Sequence, residues 1–294
     1  MKKILITGAS GFLGSVLLRK AAETWETTAL HFAHAAQNPA HSRLLRADLT
    51  SGPDVEALFK NFRPDVIIHT AAQTQVDVCE ADPSACRLLN VEATKFLAEK
   101  AQKIGSRFIY ISTDLVFDGK KGNYSEEDPV NPLSHYARTK AAAERVVLET
   151  CLNAVVLRIA ILYGKSPLHR YSFSEWLRQS WEKKQPTPLF ADQFRTPIWV
   201  ENLVNALLEL ASSEFRGILH LGGSQRIDRY SFGKILANIL GVSDDLLIRK
   251  SMFDPNPSAQ RPQDVSLNIS LAKSILTTPL LTVEEGLRLA YRRQ

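Results

Sequence analysis

Short apolar runs alternate with amphipathic stretches along most of the chain. Lys3 to Thr7 reads as a buried strand and residues 11–23 as the helix after it. Further strands are predicted at 27–32, 44–49, 65–71, 107–113 and 154–162, with helices at 55–62, 83–104 and 134–149. The strands are apolar throughout instead of alternating, which predicts burial on both faces. Strand–helix alternation of this kind predicts an α/β fold built on a doubly wound parallel sheet. After Tyr163 and Gly164 the pattern loosens. Helices are expected at 171–183 and 201–212, a strand at 218–222, a polar loop over 251–263 and a closing helix over 283–292.

The first strand runs into Gly8-Ala-Ser-Gly11-Phe-Leu-Gly14. Glycine at the strand end permits a tight turn, the second lets a pyrophosphate approach the backbone, and the third lets helix and strand pack closely. The helix N-terminus then offers free N–H groups to the phosphates. Position decides here: directly after a strand and before a helix, the loop predicts a dinucleotide site. Residues 1–165 are therefore expected to form a Rossmann domain. Residues 166–294 are expected to form a smaller substrate-binding lobe, with a stretch near 198–223 returning to the sheet.

About 20 residues on, NAD sites carry an acidic residue for the ribose hydroxyl. Here the sequence reads His31-Phe-Ala-His34-Ala-Ala-Gln37, with no carboxylate to repel a 2′-phosphate and no Arg or Lys to bind one. The reading favours NADP(H) over NAD(H). Asp48, ending the third strand, is placed to meet the adenine amino group, and serves equally well as a turn or cap residue.

Tyr136 and Lys140 stand one helical turn apart, on one face of a predicted helix. A neighbouring ammonium favours a phenolate, so the spacing predicts a lowered Tyr136 pKa and proton exchange near neutrality. Ser112-Thr113-Asp114 closes the fifth strand, at the strand end where ligands of open parallel sheets bind.

These residues bring out a resemblance. The chain resembles the extended short-chain dehydrogenase/reductases, and within them the dTDP-4-dehydrorhamnose reductases. The likeness rests on the glycine loop, on Ala71-Ala-Gln-Thr74-Gln-Val76-Asp77, on Asn90 and on Ser112-Thr-Asp-Leu-Val-Phe-Asp-Gly119. It continues through Pro132-Leu-Ser-His-Tyr136-Ala-Arg-Thr-Lys140, Asp192 to Pro197 and Arg261 to Leu267. It implies reduction of the C4 ketone of a nucleotide-linked 4-keto-6-deoxy sugar, such as dTDP-4-dehydrorhamnose. Tyr136 would give the proton, Lys140 would hold the nicotinamide ribose, and Thr113 would polarise the carbonyl. Gly8, Gly11, Phe12, Leu13 and Gly14 would border the pyrophosphate, and Asp48 and Leu49 the adenine. Ala71, Ala72, Gln73 and Thr74 would run beside the cofactor, while Val76, Asp114, Arg195 and Arg261 would face the substrate.

Departures from the family pattern narrow the expectation. Ser15-Val16 stands where some relatives carry a metal-binding Glu, so no metal is expected. Ile161 replaces a frequent Trp, and Arg195 stands where Gly is common, in reach of a nucleotide phosphate. The resemblance also covers a non-catalytic alternative, the beta subunit of methionine adenosyltransferase, and sugar-nucleotide epimerases and dehydratases. Dehydratases pair Asp with Glu after the threonine; here Leu115 follows Asp114.

Composition adds limits. The 36 Lys and Arg residues against 31 Asp and Glu give a net charge of +5, scattered along the chain, which suits a small anion better than a nucleic acid. Three cysteines match no zinc pattern and build no disulfide framework, so three reduced thiols in a cytoplasmic protein are expected. No apolar run suits a signal peptide or a membrane helix. A homodimer is allowed. His69, Trp176, Trp181 and Trp199 read as packing residues, and Arg288, Arg292 and Arg293 as a solvated helix face.

Overall fold

β1 (Lys3–Thr7) turns at Gly8 into α1 (Phe12–Ala21), and the chain returns to the sheet as β2 (Glu26–His31) and β3 (Ser42–Arg46). α2 (Gly52–Asn61) follows, started by the Ser51 hydroxyl accepting from the Asp54 amide and by Pro53 in its first turn. β4 (Val66–His69) leads to α3 (Val76–Ala81), α4 (Pro83–Arg87), a π-helical turn (Leu88–Glu92) and α5 (Ala93–Ile104). β5 (Arg107–Thr113) is buried along its whole length. α6 (His135–Thr150) is capped by Ser134, and β6 (Ala154–Ile159) completes the alternation. This computed structural model describes residues 1–34, 36, 39–40, 42–168, 172–254 and 261–292. Gln37, Tyr171, Arg293 and residues 255–260, named above, lie outside them.

The later chain forms β7 (Leu162–Tyr163), α7 (Phe173–Glu182), β8 (Thr187–Phe190), β9 (Phe194–Arg195), β10 (Ile198–Trp199) and α8 (Val200–Ala211). β11 (Gly217–Leu221), β12 (Ile227–Asp228), α9 (Arg229–Leu240), β13 (Leu247–Lys250), α10 (Ser270–Ile275) and α11 (Val283–Ala290) complete it.

Seven strands form one parallel sheet in the order β11-β6-β5-β4-β1-β2-β3. Chain order reverses between β1 and β4, which opens a crevice at the carboxyl ends of those strands. One apolar layer packs α1 and α8 on the first face; a second packs α2, α5 and α6 on the other. β11 joins the sheet edge beside β6, with Gly217 opposite Val155 and Leu221 opposite Ile159. A third apolar cluster unites Tyr163, Leu177, Leu189, Phe232 and Leu287 from the later elements. Trp181 is buried there, whereas Trp176 is 42% exposed.

Two sequence expectations change. The helix expected over 83–104 begins at Pro83 but is interrupted by the π-helical turn at Leu88–Glu92, and a separate short helix, α3, precedes it. Pro83 has no N–H to give and the Asp82 carboxylate caps Ala85 at 2.9 Å, so a new helix begins there. The turn between α3 and α4 also brings Cys79 and Cys86 to a Cα separation of 5.2 Å, where they form a disulfide. This corrects the expectation of three free thiols: two cysteines seven residues apart make one local bridge across a turn, which needs no multi-bridge framework. Cys151 is free and buried.

Among the described residues no helix is long and apolar enough to cross a membrane, and no group of three His, Cys, Asp or Glu side chains could hold a metal.

Candidate active site

The glycine loop shows why each glycine stands where it does. Gly8 has φ +71°, and a side chain there would strike the Ala71 backbone at 2.7 Å. Gly14 lies so close to Gly8 that an added Cβ would sit 2.2 Å from its carbonyl oxygen. Gly11 donates to the Gly8 carbonyl at 2.9 Å and gives α1 no side-chain cap. The first helical N–H groups thus point into the crevice with room for an anion. These features fit a dinucleotide pyrophosphate.

A cleft of about 550 Å³ opens beside this loop. Gly11, Phe12, Leu13 and Gly14 line one part, with Ala72, Thr74 and Val76 from the segment after β4. Thr113, Asp114, Tyr136 and Lys140 line the same cleft, as do Arg195 and Arg261. Gly8, Asp48, Leu49, Ala71 and Gln73 do not line it. Asp48 is held in a turn, accepting from the Thr50 amide at 2.9 Å and its hydroxyl at 2.7 Å. Leu49 is in the core with Leu5 and Val55. Gln73 acts through its backbone: Asn90 accepts from its amide at 2.8 Å and donates to its carbonyl at 3.0 Å. The π-helical turn that carries Asn90 therefore sets the segment beside the glycine loop.

Ser134 opens α6 by accepting from the Ala137 amide at 3.2 Å, which puts Tyr136 in the first turn and Lys140 one turn on. Both are buried, at 8% and 3% exposure. Lys140 Nζ donates to the Ile111 carbonyl at 2.6 Å and lies 4.1 Å from the Tyr110 ring centroid. Burial pulls the ammonium down to about 7, opposed by Glu144. Burial pushes the Tyr136 phenol up, opposed by its hydrogen bond with Thr113, and the Asp114 charge adds to the rise. The expected lowering of Tyr136 by Lys140 is thus corrected. The ammonium is spent on the β5 backbone and the ring beneath it, and desolvation dominates the phenol. The outcome is a tyrosine that keeps its proton at neutral pH, the state a proton donor needs.

The other side of the cleft is cationic. Arg195 is buried and donates to the carbonyls of Phe194 at 2.6 Å, Pro262 at 3.1 Å and Gln263 at 3.2 Å. Its Nε stands 3.8 Å from Asp114 Oδ2. It holds the segment that carries Arg261, and this use competes with a direct phosphate contact. Arg229, at the start of α9, donates to Gln193 Oε1 at 2.6 Å. Burial pulls its guanidinium down to about 9, with repulsion from Arg195 and Arg261 adding to the fall. An anion would relieve that repulsion. Sequence reasoning missed Arg229 and had Gln193 only as part of the 192–197 stretch: α9 was not foreseen, and nothing in local spacing links residue 229 to residue 261.

The RmlD substrate binding domain family matches residues 1–294, the whole chain. The chain belongs to the RmlD substrate binding domain family. It is 31% identical over 281 residues to mouse methionine adenosyltransferase 2 subunit beta, covering 93% of this chain and 82% of that protein. The probable low-salt glycan biosynthesis reductase Agl14 of Haloferax volcanii is 30% identical over 285 residues, covering 96% and 95%. A crystal structure of a hypothetical dTDP-4-dehydrorhamnose reductase from Sulfolobus tokodaii aligns with TM-score 0.84 at 31% identity, covering 97% and 99%. The chain thus has the fold of the sugar-nucleotide reductases of this RmlD family, within the extended short-chain dehydrogenase/reductases.

His69 is a structural residue of this RmlD-family sheet. It bonds Thr7 Oγ1 at 2.7 Å and Thr94 Oγ1 at 3.0 Å, and burial holds it neutral with a pKa down to about 3.

Proposed function

We propose that the protein reduces the C4 ketone of a nucleotide-linked 4-keto-6-deoxy sugar with NADPH, dTDP-4-dehydrorhamnose to dTDP-rhamnose being the reaction it suits best. The observation that carries this reading is the convergence of Thr113, Tyr136 and Lys140 on the cleft that also holds the glycine loop. When bound, the reduced nicotinamide supplies the hydride. Gly11 to Gly14 and the α1 N-terminus bind the pyrophosphate, and Lys140 holds the nicotinamide ribose. Thr113 donates to the ketone oxygen, and Tyr136 passes its phenolic proton to that oxygen as negative charge develops there. Arg229 and Arg261 take the diphosphate of the substrate, while Val76 and Asp114 face the sugar. Residues 1–165 serve the cofactor and 166–294 the substrate, in a cytoplasmic protein.

NADP(H) is supported by a residue outside the segment first considered. β3 pairs with β2 so that Arg46 stands opposite His31. Its guanidinium lies 5.3 Å from the Phe32 ring, at the strand end where a 2′-phosphate would sit.

The decisive assay follows reduced nicotinamide absorbance with a dTDP-4-keto-6-deoxy sugar, beside dTDP-glucose. One cofactor oxidised per keto sugar supports the reductase. A 4-keto-6-deoxy product from dTDP-glucose, with no net cofactor change, would overturn it in favour of a dehydratase; Leu115 has no proton to exchange in such an elimination. A second reading, a non-catalytic subunit, is favoured by the likeness to methionine adenosyltransferase 2 subunit beta. Stoichiometric capture of a synthetase together with absent turnover would establish it.

A further inference from the structure

Below Lys140, on the same face of α6, stands Glu144, 4% exposed. Its carboxylate accepts from Ser112 Oγ, the residue immediately before Thr113. Arg158 on β6 grips it from the other side, with Nη2 at 2.8 Å from Oε2 and Nε at 3.1 and 3.2 Å from the two oxygens. Arg158 is 3% exposed, reaches the Glu126 carbonyl and His220 Nε2 at 3.4 Å, and lies 5.1 Å from the Phe117 ring. His220 stays neutral: burial and Arg158 pull it down to about 4. The network is thus one carboxylate against one guanidinium, both out of water.

A buried ion pair of this kind is weak evidence for stability, because well-packed apolar groups serve as well or better. Its place suggests another use. The proposed reaction needs the Thr113 hydroxyl from β5 and the Tyr136 phenol from α6 on one carbonyl oxygen, so the spacing of strand and helix matters. Besides the bond between Tyr136 and Thr113 themselves, two side-chain hydrogen bonds cross that gap among the described residues: Lys140 to the Ile111 carbonyl, and Ser112 to Glu144. The first of these ends on the group whose charge is in question. Lys140 faces Tyr136 and Glu144 from its own helix, Tyr110 from β5 and neutral His69 from β4. Of these, Glu144 alone is an anion that opposes the loss of its proton by burial.

We propose that Glu144, locked by Arg158, is a positioning residue: through Ser112 it fixes Thr113 against Tyr136, and from one turn below it keeps the Lys140 ammonium charged. The proposal rests on the catalytic roles given above, and its test therefore includes a readout that needs no turnover.

Glu144→Gln removes the charge but leaves Arg158 unpaired, so the double variant Glu144→Gln/Arg158→Gln is made beside it. In the cofactor-free proteins the Lys140 side chain is titrated by NMR. The double variant should titrate about one pH unit lower than the wild type, the lower end of what a close opposite charge supplies. In turnover, the basic limb of its kcat profile should move down by the same amount, so that the loss at pH 8 exceeds the loss at pH 6. Ser112→Ala, which keeps the charges, should lower kcat about tenfold without moving that limb or the KM for NADPH. A folded double variant with an unmoved Lys140 titration overturns the proposal, as does Ser112→Ala with kcat within twofold of wild type. If the wild type turns over no keto sugar, the reading of function fails while the NMR titration still decides the role of Glu144.

Discussion

Asp114 Oδ2 lies 3.8 Å from Arg195 Nε, with both side chains buried, and makes no hydrogen bond. Burial pushes this carboxyl up to about 6, against the pull of Arg195 and of its bond from Thr113. The folded protein thus binds the Asp114 proton more tightly than the unfolded chain does. Its contribution to stability is fully present below pH 4 and is lost as pH rises through 6. Asp114→Asn, which mimics the protonated form, should therefore stabilise relative to wild type at pH 8, by about 3 kcal/mol, and progressively less below pH 6. Turnover should fall, because Asp114 lines the cleft beside Thr113 and is proposed to face the sugar. Denaturant titrations at pH 5 and pH 8 check this; an advantage that grows as pH falls would show the carboxyl is not strained as an anion.

Arg46 should decide between the two cofactors. Arg46→Ala removes a cation near the end of β2 and should raise the KM for NADPH about tenfold, leaving that for NADH within twofold. Parallel titrations with both cofactors measure it. Equal effects on both would mean that Arg46 serves only to pack on Phe32.

The Cys79–Cys86 bridge closes a loop with a sequence separation of 7 and packs beside Tyr136. Closing so short a loop is worth about 2.5 kcal/mol on the chain-entropy account. For a chain of this size that is about 4 °C in Tm. Calorimetry with and without a reductant should show the drop, and the intact mass should rise by two hydrogens on reduction. A protein whose mass does not change carries no bridge.

The chain's local chemistry was legible where one element supplies a whole feature. KILIT followed by three spaced glycines predicted β1, the turn and α1, because strand burial and close backbone approach leave direct marks on composition. Tyr136 and Lys140 were legible because helical spacing alone puts them on one face. The electrostatics were not. Burial against β5 pulls the Lys140 ammonium down to about 7, a fact of packing across 29 residues of sequence. Arg46 was missed because a β2–β3 register, not its neighbours in sequence, carries it to the end of β2. Arg229 at the start of α9 meets Arg195 of β9 and Arg261 across distant parts of the chain, and Cys79 meets Cys86 only because Pro83 breaks the helix between them. Pairings across elements leave no periodic trace.

Tyr136→Phe tests the chemistry at its centre. The ring stays in its buried place, so cofactor affinity should hold within about twofold, as followed by nicotinamide fluorescence. The hydroxyl proton is lost, and kcat should fall by about 10²–10⁴-fold, the usual effect of removing a general acid. The pH dependence adds a sign. Burial keeps the wild-type phenol protonated well above neutrality, so Tyr136 itself does not set a basic limb near pH 7. The group that titrates there is Lys140, at about 7. Wild-type kcat should therefore decline through that region as the ammonium is lost. Measured over pH 5–9, the residual rate of Tyr136→Phe should keep that decline at reduced height, since Lys140 holds the nicotinamide ribose with or without the phenol. A variant that keeps more than half the activity would remove Tyr136 from the role of proton donor.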